Sequence, residues 1–171
     1  MRSIRLAFAL SLYGLCAADV ASGGTSTANL TVSATITASC DIAAGGSVVN
    51  FGTQSNITSN RDASTVISVQ CTSGTPWSVG LNNGSNASGA QRRMTDGASH
   101  FINYDLYTDN PRTLPWTTTT AAGSCTSGAG SCVLGTGTGG FQFITIYGRV
   151  PFPQTPVVGL YTDTVVATVT Y

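Results

Sequence analysis

Residues 28 to 42, ANLTVSATITASCDI, alternate apolar and polar side chains without an error. Ala28, Leu30, Val32, Ala34, Ile36, Ala38, Cys40 and Ile42 hold one phase; Asn29, Thr31, Ser33, Thr35, Thr37, Ser39 and Asp41 hold the other. A period of two marks a half-buried β-strand. The run is too long for one strand, because its extended length would be roughly 50 Å and strands usually hold about 3–10 residues. The same alternation recurs downstream. After the turn AAGGS comes a short apolar run, VVNFGT (48–53). TVISVQC (65–71) sets Val66 opposite Ile67, Val69 and Cys71. PWSVGL (76–81) aligns Trp77, Val79 and Leu81 and ends at the turn signal NNG. HFINYDLYT (100–108) aligns Ile102, Tyr104 and Leu106 against Phe101, Asn103, Asp105 and Tyr107. FQFITIYGRVPF (141–152) is a strong strand, broken by PQTPVVG, where Pro153 and Pro156 cannot extend a ladder. YTDTVVATVTY closes the chain with Val165, Ala167, Val169 and Tyr171 on one face. Residues 108 to 140 are rich in Gly, Ser and Thr and read as a long exposed connection. No window has a helical period, and no internal repeat is present. About seven strands between turns predict an all-β sandwich.

The N-terminus adds a targeting signal. Arg2 and Arg5 precede the short apolar run LAFALSLYGL, and CAA supplies small residues for cleavage after Ala18. Residues 1–18 are therefore expected to be a secretory signal peptide. Lipidation at Cys16 is the competing reading, weakened by Leu15 where a small residue is wanted. Without Arg2 and Arg5, five Arg face seven Asp, a net charge of −2, and the chain has no Lys and no Glu. That balance argues against nucleic acid or an anionic membrane as partner. It also argues against long surface helices. Once the leader with Cys16 is gone, Cys40, Cys71, Cys125 and Cys132 remain, an even number in an exported chain. Three pairings are possible. Cys40–Cys71 is favoured because both lie on apolar phases of predicted strands, and Cys125–Cys132 because CTSGAGSC can close a tight loop. A zinc site is disfavoured by the lack of CxxC pairs and of a nearby His.

Candidate chemistry is sparse. GTGTGG (135–140) matches a dinucleotide-type glycine spacing, but a strand follows it where a helix is required. His100 is the single histidine and no GxSxG is present, so Ser–His–Asp catalysis has no support. Asp105, Asp109 and Asp163 could be imagined as acid–base partners but read better as solvated residues at turns or on an outer strand face. Trp77, Tyr104, Tyr107 and Trp116 could form a sugar-stacking platform; Trp77 and Tyr104 fit a core better, and Trp116 sits in a loop. Asn29, Asn56, Asn83 and Asn86 lie in N-x-Ser/Thr triplets, which arise by chance in so Ser/Thr-rich a chain. No catalytic residue, cofactor site, metal site or small-molecule substrate is expected.

Several motifs occur together and in order: NFGT (50–53), CTSGTPWSVGLNNG (71–84), RRM (92–94), INYDLYTDNPRTLPW (102–116), IYGRVP (146–151) and GLYTDTVVATVTY (159–171). With them the chain resembles the spore coat protein U domain family, whose members include secreted pilin subunits of archaic chaperone–usher pili. The loop closing on Cys125 and Cys132 departs from the family's pattern. The resemblance implies an incomplete immunoglobulin-like sandwich of pilin type, lacking its last strand and completed by donor-strand exchange. It thereby offers a reason for the overlong opening strand. Residues 36–171 would be the pilin-like domain, with about Ile36–Ile42 as its first strand, anchored by Cys40. Residues 19–35 would be a donor-strand extension, with Leu30, Val32 and Ala34 as plugs and Ala28 and Ile36 at the ends. Val165, Ala167, Val169 and Tyr171 would form the C-terminal edge strand. The implied partners are identical or related pilin subunits, a periplasmic chaperone and an outer-membrane usher. The implied role is a structural subunit of a surface pilus or fimbria, serving adhesion and biofilm formation, exported through the periplasm to the cell surface. The alternatives are a secreted spore or cell-surface coat protein, or a small lectin-like binding module on the same fold.

Overall fold

A computed structural model describes residues 23–118, 121–125 and 131–171. The predicted leader, Cys16 and residues 19–22 of the extension lie outside the described residues. The chain divides into two units, residues 1–35 and 36–171. In the first, residues 23–35 belong to no strand and are exposed throughout. Leu30 and Val32 are 88 % and 84 % exposed.

The second unit holds eight strands: β1 (Cys40–Ala43), β2 (Arg61–Cys71), β3 (Pro76–Leu81), β4 (Arg92–Thr95), β5 (Phe101–Tyr107), β6 (Val133–Thr136), β7 (Phe141–Val150) and β8 (Ala167–Thr170). They form one five-stranded sheet, in the order β1-β2-β7-β5-β4, and one three-stranded sheet, β6-β3-β8. All named pairings are antiparallel. No helix occurs among the described residues. The all-β sandwich read from the alternation is therefore the fold of this unit.

The period of two decides which side chains enter the core. Ile67, Val69 and Cys71 of β2, Ile102, Tyr104 and Leu106 of β5, and Ile144, Ile146 and Val150 of β7 are buried from one sheet. Trp77, Val79 and Leu81 of β3 meet them from the other. Each large apolar side chain removed from water stabilises by about 1.5–3 kcal/mol, which is the main force joining the sheets. Trp77 is held in place on its sheet partner: a Cβ on Gly135 of β6 would collide with its indole. So GTGTGG begins as strand and continues as a turn, with Gly137 N donating to Thr75 O at 2.8 Å and Gly139 N donating to Cys71 O at 3.0 Å. No phosphate cradle forms there.

Several elements differ from the expected ones. The first strand starts at Cys40 and not at Ile36, which is itself exposed. Its partner strand, β2, ends at Cys71, so residues before Cys40 have no ladder to join. Ser39 O still accepts from Thr72 N at 2.9 Å. VVNFGT forms no strand; Val49 and Phe51 instead pack against the core. The packing is close, since a Cβ on Gly148 would lie 2.6 Å from Val49 Cγ1. RRM became β4, a strand too short and too charged to show an alternation. The 108–140 stretch contains β6 and the buried Trp116, because Trp116 N donates to Leu106 O at 2.8 Å and its Nε1 to Val79 O at 2.9 Å. Trp116 is 0 % exposed, which overturns the idea of a sugar-facing loop aromatic.

Disulfides join Cys40 to Cys71 and Cys125 to Cys132. The first spans 31 residues and the second 7. Loop-closure entropy then predicts unequal losses: about 3–4 kcal/mol for Cys40→Ser with Cys71→Ser, and about 2 kcal/mol for the Cys125/Cys132 pair. Denaturant unfolding of the two double variants checks this ordering.

Candidate strand-acceptor groove

After a bend at Val158 and Gly159, residues 160–167 run towards β8. Their side chains alternate from Tyr161 onward, with Tyr161, Asp163, Val165 and Ala167 half-buried and Thr162, Thr164 and Val166 exposed. The even residues spend their backbone groups on one side. Thr162 exchanges two 2.9 Å hydrogen bonds with Thr95, Thr164 O accepts from Ser85 N at 3.0 Å, and Val166 O accepts from Asn82 N at 3.0 Å. A strand turns its odd backbone groups the opposite way. Those of Tyr161, Asp163 and Val165 have no backbone partner among the described residues. This is why the segment is extended yet becomes a regular strand only at Ala167, where β3 supplies a ladder. Val165, Ala167 and Val169 pack against the core as their shared phase requires, whereas Tyr171 is exposed.

Beside that unpaired edge lies a groove of about 1000 Å³. Its walls are residues 47–57 on one side and 156–163 on the other. Its floor is apolar and comes from both sheets: Ile67, Leu81, Ile102, Leu106, Ile146 and Val150. Val48, Val158 and Leu160 stand exposed on the walls. Unpaired backbone next to recessed apolar side chains is a site for an added strand. A hydrogen-bonded strand would cover the floor and satisfy the edge in one step.

The edge is held open by a polar clamp. Asp163 accepts from Ser85 N at 3.0 Å, Asn86 N at 3.2 Å, Asn86 Nδ2 at 2.9 Å and Tyr104 Oη at 2.6 Å. It is no solvated turn residue. Burial, and then the bond to Asp163, push the Tyr104 phenol far above its ordinary range. The NNG turn makes room for the clamp: Gly84 has φ +83°, and a side chain there would run into the Asp163 carboxylate. Alternation placed Tyr104 inside; nothing local to Asp163 signals its partner 59 residues away.

Arg92 is the second device that sequence reasoning missed. It is buried and donates to Leu81 O at 3.2 Å, Asn82 O at 2.8 Å and Trp116 O at 2.7 Å. These bonds tie β4 to the end of β3 and to the Trp116 loop. Burial lowers its pKa, opposed by Tyr104, Asp105 and Asp163.

The other candidate acid–base residues do not converge. Asp105 lies half-buried on the outer face of β5, and burial raises its pKa. Asp109 closes its own turn by accepting from Thr113 N and Leu114 N. His100 Nδ1 lies 2.7 Å from Asp96 Oδ2 on an exposed turn. Among the described residues, no group of three His, Cys or carboxylate side chains could hold a metal ion.

Residues 26–168 match the Spore Coat Protein U domain. The chain belongs to the Spore Coat Protein U domain family. A curated relative, "Protein U" of Myxococcus xanthus, is 34 % identical over 188 aligned residues, covering all of both chains. Among solved structures, this Spore Coat Protein U domain superposes on a chain of the CsuC–CsuE chaperone–tip adhesion subunit pre-assembly complex from the archaic chaperone–usher Csu pili of Acinetobacter baumannii. The TM-score is 0.51 at 24 % identity, over 80 % of this chain and 40 % of that one. This match establishes the fold, and the chain spans less than half the length of that structure's chain.

Arg92→Met in this domain removes the donor to two buried carbonyls, Leu81 O and Trp116 O, and to the half-buried Asn82 O, and should cost about 3 kcal/mol, read by denaturant unfolding. Asp105→Asn should stabilise it at neutral pH. Folding raises the Asp105 pKa, so the folded state binds its proton more tightly; stability falls as pH rises from the ordinary carboxylate range through the raised value. The gain from Asp105→Asn should therefore vanish in acid, as thermal melts across pH would show.

Proposed function

We propose that the chain is a structural subunit of a chaperone–usher surface pilus, which polymerises by giving residues 19–35 to the groove of a neighbouring subunit. One observation carries this reading: the unpaired backbone of Tyr161, Asp163 and Val165 beside an apolar groove, in a chain that also carries an exposed alternating arm. The groove asks for extended backbone with apolar side chains on every second position. Residues 28–36 supply that pattern, with Ala28, Leu30, Val32, Ala34 and Ile36 on one phase.

The magnitudes fit. Burying three large plugs would give roughly 5–9 kcal/mol gross. Each main-chain hydrogen bond adds about 0.5–1.5 kcal/mol. A chaperone strand would occupy the same groove before assembly in the periplasm, pairing with the C-terminal edge, and would be displaced at an outer-membrane usher. The Csu complex supports this reading, since it holds a chaperone together with a tip adhesion subunit of a pilus. Adhesion and biofilm formation would follow from the fibre. The family's description favours one second reading, a coat protein built on the same arm and groove. Neighbouring chaperone and usher genes would decide for the fibre.

Deleting residues 19–35 should yield a subunit that still binds its chaperone but forms no polymer, by gel filtration and electron microscopy. Leu30→Asp with Val32→Asp should do the same in a full-length chain, because charges cannot enter the apolar floor. Native-length polymers from either variant would contradict the arm's role.

A further inference from the structure

Two exposed apolar patches lie at opposite ends of the sandwich, one away from the groove and one on its wall. Phe141 and Phe143 point outward from the start of β7, and Phe143 is 75 % exposed. They sit at the end where the chain enters the domain. Phe141 pairs with Gln70, Gln70 with Asp41, and the adjoining Cys71 with Cys40. The second patch is Val158, 96 % exposed, with Leu160, on the groove wall. Its end of the molecule is fixed by Gly159 against Asp96 and by Thr162 paired with Thr95 of β4. Strand β2 runs from that end, where Arg61 pairs with Val150, to the Phe end, where Gln70 pairs with Phe141. The two ends are thus separated by roughly the length of β2, about 33 Å at 3.3 Å per residue.

An exposed apolar patch of this kind marks an interaction surface. The occupant follows from connectivity. The arm leaves the domain at the Phe141/Phe143 end, because residue 35 is bonded to Ile36 and the sandwich begins at Cys40. The groove that would receive an arm is walled at its far end by Val158 and Leu160. We infer that the Phe141/Phe143 patch of one copy docks on the Val158/Leu160 patch of the next, a body-to-body contact added to the arm-in-groove joint. This rests on the proposed joint and extends it. The contact is head-to-tail: each copy uses one patch towards one neighbour and the other patch towards the other. Such a heterologous contact does not close on itself and propagates a fibre. It also gives the joint a preferred orientation, which a flexible arm alone would not supply.

The test uses full-length subunits assembled from their chaperone-bound form. One variant carries Phe141→Ser and Phe143→Ser, the other Val158→Ser and Leu160→Ser. All four side chains are exposed, so unchanged unfolding midpoints should confirm intact folds. Each variant alone should assemble about tenfold more slowly or more, the scale of losing one large apolar contact. The arm should still become protease-resistant in the polymers that do form. A one-to-one mixture should build up dimers at about a quarter of the native rate at equal total concentration, well above either variant alone, because one of its four ordered pairings retains both native patches. Native-rate assembly of either variant alone would overturn the contact while leaving the arm joint standing. Dimers no faster in the mixture than in the single variants would overturn its head-to-tail form. An unprotected arm in native-like polymers would defeat the underlying joint instead.

Discussion

The backbone edge from Tyr161 to Val165 controls the architecture. Its even residues bond to Thr95, Ser85 and Asn82, while its odd residues line the groove. In water such groups would be solvated at little cost. Here they run beside Ile67, Leu81, Ile102 and Ile146, which are themselves nearly free of solvent. Among the described residues, no strand of the chain pairs with the odd-residue side of this edge. A strand proposed to complete it would need extended backbone and alternating apolar side chains.

The clamp around Asp163 explains why the groove persists instead of collapsing. Tyr104 from the five-stranded sheet and the 82–86 turn from the opposite side converge on one carboxylate. Arg92 performs a similar task a short distance away, bridging β4 to three carbonyls. These polar groups bridge the two sheets beside the apolar floor of the groove. Collapse would break several hydrogen bonds in order to bury a few more methyl groups.

Much of this was legible in the alternation. Trp77, Val79 and Leu81, and Ile102, Tyr104 and Leu106, announced their strands and their inward faces, because a period of two maps directly onto a pleated sheet. What escaped was whatever depends on a distant partner. The arm and β1 form one alternating run in sequence, yet only the part opposite β2 joins a sheet. Trp116 read only as a loop residue; its burial depends on the two acceptors that Leu106 and Val79 supply. Asp163 looked solvated because its ligands lie in a turn and a strand far away in the chain. Arg92 gave no signal, since the carbonyls that hold it come from the end of β3 and from the Trp116 loop, distant in the chain.

The Cys40–Cys71 bond has a mechanical consequence. Tension pulling on the arm would reach the sandwich at Cys40, the first residue of β1. The crosslink hands that load to the end of β2, which is bonded along ten register positions to β7 in the middle of the larger sheet. Force would then be resisted in shear across many parallel hydrogen bonds. It could not peel the four-residue β1 away from its neighbour one bond at a time.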